Sequence, residues 1–440
     1  MKRKSHFNFS FLLFTFSFFL FSSCSVQKQI AKNAQTNILS KAEVQTAHVG
    51  IAIYDVTEKK FLYQHNSNKY FIPASNTKLF TCYAAMKYLG DSLPGINLLE
   101  DANNVYLFPT GDPSLLMEDF TNHPVANRIQ QINKSIFVID TVWKDNGLGF
   151  GWSWDDYEAD YMAERSALPV QGNLVSFSGN LSKYYVSPFL SSDNFEAGPG
   201  NGYISVVKRN RDANHFIISF EGKKNDTIHV PFTTENGKAN VAFLAAALDK
   251  KITLADSSLL YHLPAGKPVT VYSQPTDSLL RIMMHRSDNF FAEQSLLMVS
   301  NKLLGIMNDH RIIDTLLKTD YKDLPQHPKW VDGSGLSRYN LFSPEDFIFL
   351  LNKMREDFSW NRITTILPTG GTGTISNYYK NLKGRIFVKT GTLSNNVALS
   401  GYLITKKNKT LIFSVLVNNH ISSVNDIRKD IEAFLTTIAE

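Results

Sequence analysis

The residues best suited to chemistry lie in three short motifs, which follow one another in a fixed order along the chain. The motifs are Ser75-Asn76-Thr77-Lys78, Ser287-Asp288-Asn289 and Lys389-Thr390-Gly391-Thr392. A serine three positions before a lysine is weak support alone, since average residue usage gives roughly one or two by chance in such a chain. The Ser-Asp-Asn and Lys-Thr-Gly tripeptides are rarer: Lys-Thr-Gly occurs once, and Ser-Asp-Asn occurs at 192–194 and at 287–289, of which the second lies between two apolar helical stretches. Their ordered combination predicts a serine acyl-transfer site.

Ser75 is the candidate nucleophile and Lys78 is its candidate base. Residues three positions apart share a helix face, which brings the amine within reach of the hydroxyl. A serine hydroxyl needs a base at neutral pH, and a lysine serves only where its neutral form is favoured. A dry site beside a second cation, here Lys389, would favour that form. The alternative is a solvated lysine on a helix surface, which the apolar neighbourhood disfavours.

The second motif lies between two apolar helical stretches, 279–284 and 290–298. In this interpretation Ser287 relays a proton between the base and the leaving group. Asn289 holds the lysine and the substrate amide by hydrogen bonds. Taken alone, a Ser-Asp-Asn cluster is better explained as a helix cap.

The third motif follows a predicted strand and suits a carboxylate ligand. Lys389 supplies charge, and Thr390 and Thr392 supply hydroxyl groups. Gly391 removes a side chain where a substrate backbone would pair alongside the strand. Without the other two motifs, an ordinary strand edge containing a lysine would explain these residues equally well.

The two ends of the chain predict one antiparallel sheet covered by helices, an α/β (α+β) fold. The predicted strands are 47–56, 61–63, 386–388, 398–405 and 410–418. The stretch 76–89 is apolar on nearly every side, which is typical of a buried central helix. Behind Ser422 and Ser423, apolar residues at helical spacing predict a C-terminal amphipathic helix.

The middle of the chain has a different pattern, with short aromatic and β-branched runs broken by Gly, Asn and Asp. The predicted strands there are 104–108, 135–143, 203–207 and 216–220. We therefore expect a β-rich insertion of one or two small domains over 99–263. Residues 30–98 and 264–440 would form the catalytic domain.

The first residues are typical of a bacterial export signal. Basic residues at 2–4 precede an apolar run over 7–21, which is shorter than the roughly 20 residues that span a membrane. The small residues before Cys24 resemble the lipobox of bacterial lipoproteins, which predicts a signal peptide over 1–23 and a lipid anchor on Cys24. Phe21 stands where lipoboxes usually have Leu, so ordinary cleavage to a free periplasmic protein is the alternative.

The net charge and the cysteine content argue against a nucleic-acid-binding protein and a disulfide-rich protein. The formal net charge is +5, and loss of residues 1–23 removes three positive charges and leaves +2. That balance gives no support for nucleic-acid binding. Cys24 and Cys82 are the two cysteines, so lipidation of the first excludes a disulfide framework. The eleven histidines lack metal-ligand spacing. We expect neither a metal nor a cofactor.

The three motifs are similar to the set found in penicillin-binding proteins and class A β-lactamases. Ser287 lies 209 positions after Lys78, far more than the short helical segment of class A β-lactamases. The large insertion resembles that of class C low-molecular-mass penicillin-binding proteins, the D-alanyl-D-alanine carboxypeptidase and endopeptidase family. Further segments that resemble this family lie at 110–113, 151–156, 332–340 and 367–368.

The resemblance implies a penicillin-recognising, serine transpeptidase-like (β-lactamase-like) fold. It also implies the following roles: Ser75 as nucleophile, Lys78 as base, Ser287 with Asn289 as relay, and Lys389 with Thr390 and Thr392 as the carboxylate site. Backbone N–H groups of Ser75 and Thr392 would form the oxyanion hole.

The same resemblance places Asp156, Tyr161 and Arg338 where the family holds the diamino acid of the stem peptide. At the position of Tyr161, the family also uses Phe. Ser394 occupies a position where some relatives carry Gln. The preferred stem peptide therefore stays open.

We expect an exported serine DD-peptidase that acts on peptidoglycan stem peptides and cross-links through an acyl-enzyme on Ser75. β-Lactam antibiotics would acylate the same residue. One alternative is a serine β-lactamase, which motif spacing and chain length disfavour. The other is a non-catalytic lipoprotein that binds cell wall, which the intact motifs disfavour. The balance of carboxypeptidase and endopeptidase activity, the anchoring membrane and the oligomeric state stay open.

Overall fold

The computed structural model describes residues 26–188 and 192–440. The predicted signal peptide and Cys24 lie outside the described residues. The strands are β1 (His48–Asp55), β2 (Lys60–His65), β3 (Ser92–Glu100), β4 (Asn104–Pro109), β5 (Ser135–Val138), β6 (Leu174–Asn180), β7 (Lys183–Ser187), β8 (Phe195–Gly200), β9 (Val206–Arg209), β10 (Phe216–Phe220), β11 (Ile228–Pro231), β12 (Ile252–Leu254), β13 (Val269–Pro275), β14 (Ile386–Leu393), β15 (Asn396–Ile404) and β16 (Thr410–Asn418). The helices are α1 (26–34), α2 (Lys78–Tyr88), α3 (Pro124–Gln130), α4 (Lys238–Leu248), α5 (Thr276–Ile282), α6 (Asn289–Leu304), α7 (Asp309–Lys318), α8 (Pro344–Asp357), α9 (Trp360–Ile366) and α10 (Val424–Ala439).

The two ends of the chain form one five-stranded antiparallel sheet in the order β14-β15-β16-β1-β2, which confirms the predicted sheet. β1 and β16 join the ends, with His48 opposite Asn418. Successive side chains of a strand point to opposite faces, so Ile51 and Ile53 pack on the same side as α10. Ala52 lies on the other side, in the core that contains α2, α6 and α8.

α2 is the buried central helix that the sequence predicts, and residues 78–86 are all buried. The α-helix begins at Lys78, two residues later than expected, because Ala74–Thr77 forms a tighter 3₁₀ turn. The Thr77 hydroxyl donates to the Ala74 carbonyl within that turn. The turn places Ser75 three residues before Lys78, the first residue of α2.

The middle of the chain is β-rich, as predicted. It forms a second five-stranded sheet, β12-β5-β4-β3-β13, and two three-stranded sheets, β11-β6-β7 and β8-β10-β9. β3 and β13 pair with each other, with Val269 opposite Leu98. This second sheet therefore reaches from Ser92 to Pro275, beyond both predicted limits of the insertion.

The strand predicted over 135–143 is shorter in the structure and ends at Val138. The Asp140 carboxylate accepts a hydrogen bond from the Trp143 backbone N–H at 3.1 Å. A local side-chain contact of this kind stabilises a turn and competes with strand pairing. Over the ranges 26–188 and 192–440, no helix combines the length and apolarity that a membrane crossing requires.

Candidate active site

Ser75 lies in the turn Ala74–Thr77, which packs directly against β14. A Cβ atom at Gly391 would lie 2.5 Å from the Pro73 carbonyl oxygen and 3.1 Å from the Asn76 nitrogen. Gly391 therefore allows the turn to approach the strand. The sequence interpretation assigned this missing side chain to a substrate contact, whereas the structure shows a close contact within the protein.

Lys78 is fully buried and reaches Ser75 from the first turn of α2. Its Nζ lies 2.9 Å from Ser75 Oγ, 2.6 Å from Asn289 Oδ1 and 2.7 Å from the Ser334 carbonyl oxygen. A protonated amine donates three hydrogen bonds and accepts none. When the amine is neutral, two N–H groups remain for Asn289 and Ser334, and its lone pair can accept the Ser75 proton. These three contacts fix the Lys78 amine within hydrogen-bonding distance of the Ser75 hydroxyl, the geometry that a base for Ser75 requires.

The surroundings of both lysines favour their neutral forms. Burial lowers the pKa of Lys78 to about 8, although Asp332, Asp288 and Glu293 act in the opposite direction. The pKa of Lys389 lies well below its usual value, first because of burial and then because of repulsion from Lys78 and Arg428. Lys389 Nζ donates to Ser287 Oγ at 2.8 Å and to the Thr390 carbonyl at 2.7 Å.

The Ser-Asp-Asn motif caps a helix and also places two side chains in the site, so both interpretations of its sequence apply. Asp288 is the N-cap of α6, and its carboxylate accepts from the Phe291 backbone N–H at 2.8 Å. Ser287, immediately before it, has a φ of +65°, a conformation that is uncommon outside glycine. Its hydroxyl meets Lys389, and Asn289 contacts Lys78. The cap thus positions both flanking side chains in the site.

These residues surround a cavity of about 600 Å³. Its lining includes seven of the residues selected from the sequence: Ser75, Asp156, Tyr161, Ser287, Asn289, Arg338 and Thr392. Lys78, Lys389 and Thr390 are buried around it. The Thr390 hydroxyl lies 2.8 Å from the Thr374 hydroxyl, a residue that the sequence interpretation did not select.

The cavity presents groups of opposite charge to a ligand. The Tyr161 hydroxyl is hydrogen-bonded to Asp156, and burial followed by this contact raises the pKa of Tyr161 to about 12. Arg338 Nη1 donates to the Ser394 carbonyl at 3.2 Å. The structure therefore brings the three residues predicted to hold a diamino acid to the same cavity as Ser75.

Glu293 is a residue of the site that the sequence interpretation missed. It lies on α6 and is buried, and its Oε1 accepts from the Ser334 backbone N–H at 2.7 Å. Asp332 accepts from the backbone N–H groups of Gly335 and Ser337 at 2.8 and 2.6 Å. These contacts fix the loop whose Ser334 carbonyl holds Lys78. Burial of an acidic residue within the apolar stretch 290–298 is unfavourable unless its carboxylate has partners. The presence of Glu293 in that stretch was therefore the sequence signal that could have identified it.

Cys82 is a buried free thiol in α2, away from the cavity lining. Across the part of the chain that the structure describes, no group of three or more His, Cys, Asp or Glu side chains is arranged to hold a metal ion. The groups that surround Ser75 are hydroxyl groups, amines and an amide.

Comparison with curated proteins shows relatives that match most of the chain. It is 26% identical to the D-alanyl-D-alanine carboxypeptidase of Actinomadura sp. (strain R39), over 87% of this chain and 80% of the relative. It is 21% identical to the D-alanyl-D-alanine carboxypeptidase DacB of Haemophilus influenzae, over 88% of this chain and 89% of the relative.

Solved structures share the fold. Penicillin binding protein 4 (dacB) from Haemophilus influenzae aligns with a TM-score of 0.70 at 18% identity, covering 93% of this chain and 98% of that chain. A predatory peptidoglycan endopeptidase from Bdellovibrio bacteriovorus aligns with a TM-score of 0.54 at 12% identity, covering 89% and 93%. The sequence matches the D-Ala-D-Ala carboxypeptidase 3 (S13) family over residues 31–438. This chain therefore belongs to the D-Ala-D-Ala carboxypeptidase 3 (S13) family, whose members are serine peptidases.

Proposed function

We propose that this protein cleaves D-Ala-containing stem peptides and cross-links of peptidoglycan through an acyl-enzyme on Ser75. The observation that supports this most strongly is the buried Lys78 amine, 2.9 Å from Ser75 Oγ and with a pKa of about 8. Family membership and the names of the relatives point to the same substrate.

In the proposed reaction, neutral Lys78 accepts the Ser75 proton while Oγ attacks the carbonyl carbon of the penultimate D-alanine. Backbone N–H groups of Ser75 and Thr392 stabilise the oxyanion. Ser287 then gives its hydroxyl proton to the leaving nitrogen as the C–N bond breaks, and Ser287 is reprotonated with the proton that Lys78 took from Ser75. Lys389 keeps the relay hydroxyl in place. Water attacks the resulting ester and releases the shortened peptide with regeneration of Ser75.

We propose that β-lactams acylate the same serine. The Haemophilus influenzae penicillin binding protein 4 has been solved in complex with a novel β-lactam, and it shares this fold with a TM-score of 0.68. Attack on the lactam carbonyl opens the ring, and the departing nitrogen stays attached to the acyl group. The tethered fragment remains in the site, so the ester is expected to persist.

Intact-mass spectrometry after brief exposure to benzylpenicillin tests this proposal. We expect one persistent adduct on the wild-type protein and none on Ser75→Ala. Ser394→Ala is the matched control, because it removes another cavity-lining hydroxyl and should keep the adduct. An adduct on Ser75→Ala would refute the nucleophile assignment. Absence of an adduct with the drug destroyed would favour the β-lactamase, and absence with the drug intact would favour the non-catalytic protein.

The two peptidase activities are separable by substrate. Wild-type protein should release D-alanine from a pentapeptide stem and should also split a cross-linked stem dimer. Ser75→Ala should do neither. We propose that Asp156, Tyr161 and Arg338 hold the diamino acid in both substrates, since all three line the cavity beside Ser75. Cleavage of the pentapeptide without cleavage of the dimer would limit the function to carboxypeptidase activity.

We further propose that residues 1–23 direct export to the periplasm and that Cys24 carries a lipid anchor. The basic, apolar and small-residue pattern of this segment supports the proposal. Cys24→Ser should move the protein from the membrane fraction to the soluble periplasmic fraction. Cys82→Ser is the matched control and should remain with the membrane. A wild-type protein that is already soluble in the periplasm would refute the anchor.

A further inference from the structure

Two aromatic side chains form an exposed, stacked pair beside the cavity that holds Ser75. Phe150 is 69% exposed and Tyr339 is 49% exposed. Their ring centroids lie 5.3 Å apart, with the ring planes inclined by 28°. Phe150 directly precedes Gly151 and Tyr339 directly follows Arg338, and both of these neighbours line the cavity. We call the pair of Phe150 and Tyr339 the aromatic platform.

The platform is fixed by the close approach of two chain segments. A Cβ atom at Gly151 would lie 2.3 Å from Tyr339 Cδ2 and 2.7 Å from Ser337 Oγ. Gly151 also has a φ of +78°, a conformation that glycine adopts at no steric cost. Lys329 Nζ lies 5.2 Å from the Tyr339 ring centroid, which adds a cation–π contact. Tyr339 thus contacts several neighbours, and the more exposed Phe150 presents most of the open surface of the pair.

Exposed aromatic rings held in a fixed stack indicate a ligand with an apolar face. Large apolar side chains are usually buried, and an exposed apolar patch beside a cavity is typical of a binding surface. The face of an aromatic ring carries partial negative charge. A pyranose ring matches it, because the C–H groups on one face of the sugar are apolar and carry partial positive charge. The platform therefore suits an uncharged sugar ring.

The proposed substrate brings such a ring within reach of the platform. In peptidoglycan, two stem residues and a lactyl group separate the diamino acid from the amino sugar of the glycan strand. At roughly 3.3–3.6 Å for each of these three units, the connection spans about 10 Å when extended. Asp156, Tyr161 and Arg338, which we propose hold the diamino acid, line the cavity that the platform borders. A sugar still attached to the stem therefore lies close to the platform when the peptide is bound.

We propose that the aromatic platform stacks against an amino-sugar ring of the glycan strand and so favours stem peptides that are still attached to glycan. This inference rests on the proposed peptidase function, because it adds a sugar contact to that same substrate. The sugar lies away from the scissile bond, so the contact is the same before and during acyl transfer. Such a contact lowers KM and leaves kcat unchanged.

Two substrates that differ only in the sugar test this proposal. Both have the same pentapeptide, which carries the N-acetylglucosaminyl-N-acetylmuramyl disaccharide in one and an N-lactyl group of equal charge in the other. The wild-type protein should show a KM that is roughly three- to tenfold lower for the disaccharide substrate, the effect of one stacking contact. Phe150→Ala should abolish that difference and change the KM of the lactyl peptide by less than about twofold. Phe150→Trp retains a ring and should keep the preference.

Tyr261→Ala is the matched control, because Tyr261 is 88% exposed and lies outside the cavity lining. It should leave both KM values unchanged. Equal KM values for the two substrates with the wild-type protein, or a preference that survives Phe150→Ala, would overturn the sugar contact. An equal rise of both KM values in Phe150→Ala would also overturn it, because Phe150 would then act on the peptide. Failure of the wild-type protein to release D-alanine from either substrate would refute the peptidase function itself, and this inference with it.

Discussion

In the proposed mechanism, the ionisation state of Lys78 determines whether Ser75 can react. The ammonium form donates all three of its protons to Ser75, Asn289 and Ser334 and has no lone pair for the Ser75 proton. Burial shifts the balance toward the amine, and nearby carboxylates limit that shift. A base with a pKa close to the working pH is well suited to general-base catalysis.

The rate of acylation by benzylpenicillin should therefore depend on pH. Below the Lys78 pKa of about 8 the neutral fraction falls, so the second-order rate constant should drop by about tenfold per pH unit. Above that pKa it should level off. Stopped-flow measurements from roughly pH 6 to pH 10 check this, with circular dichroism confirming the folded state at each pH. A rate constant that does not vary across the range would exclude Lys78 as the base.

At the scale of elements, the site depends on one close approach between β14 and the turn before α2. Both belong to the unit built from the chain ends, and the missing Cβ of Gly391 allows their contact. Helix α6 contributes through its N-cap, which positions Ser287 and Asn289 opposite that turn. Small shifts between these three elements would separate Ser287 from Lys389 and Asn289 from Lys78.

Gly391→Ala should therefore impair the site. The added Cβ would lie 2.5 Å from the Pro73 carbonyl oxygen and 3.1 Å from Ala398 Cβ. We expect acylation by a fluorescent penicillin to slow by about tenfold or more, because small misplacements of reacting groups are costly. The double variant Gly391→Ala, Ala398→Gly relieves only the second contact and should stay slow. Recovery in the double variant would show that the strand neighbour, not the turn, imposes the glycine.

At the scale of the whole molecule, a buried ionic cluster connects the insertion to the catalytic helices. Arg165 lies 3.2 Å from Glu293 on α6, 2.6 Å from Asp309 on α7 and 3.1 Å from Asp145. Glu293 in turn holds Ser334, whose carbonyl holds Lys78. The insertion therefore supports the site through its core as well as lining the cavity with Asp156 and Tyr161.

Arg165→Ala should destabilise the protein strongly, because it leaves three largely buried carboxylates without their cation. The expected loss in the free energy of unfolding is roughly 3–5 kcal/mol, as for other broken buried ion pairs. Arg128→Ala removes a partly exposed arginine that pairs with Glu100 and should cost less than about 1 kcal/mol. Urea unfolding of both variants measures the difference. Equal losses in the free energy of unfolding would show that the buried cluster stabilises the protein no more than the exposed Arg128–Glu100 pair does.

The sequence by itself determined the order of the chemical groups and the type of most elements. The motifs around Ser75, Ser287 and Lys389 were recognisable because acyl transfer needs those groups at fixed local spacings. Period-2 and helical patterns identified the terminal sheet and α10, since each buries a regular apolar face, whereas α2 was recognised as a buried helix because it is apolar on nearly every side. The division of the chain at 98/99 and 263/264 stays a prediction, because pattern alone does not show which strands pair.

Only the tertiary structure decided which distant groups meet. Glu293 and Arg165 are 128 positions apart and Arg428 and Thr392 are 36 apart, so no local pattern relates them. The contact that Gly391 allows joins opposite ends of the chain, and its cause is invisible in the motif. The residue type fixes which functional group a side chain carries. The pKa of that group and the residues it contacts depend on burial and on the chain segments that folding brings together.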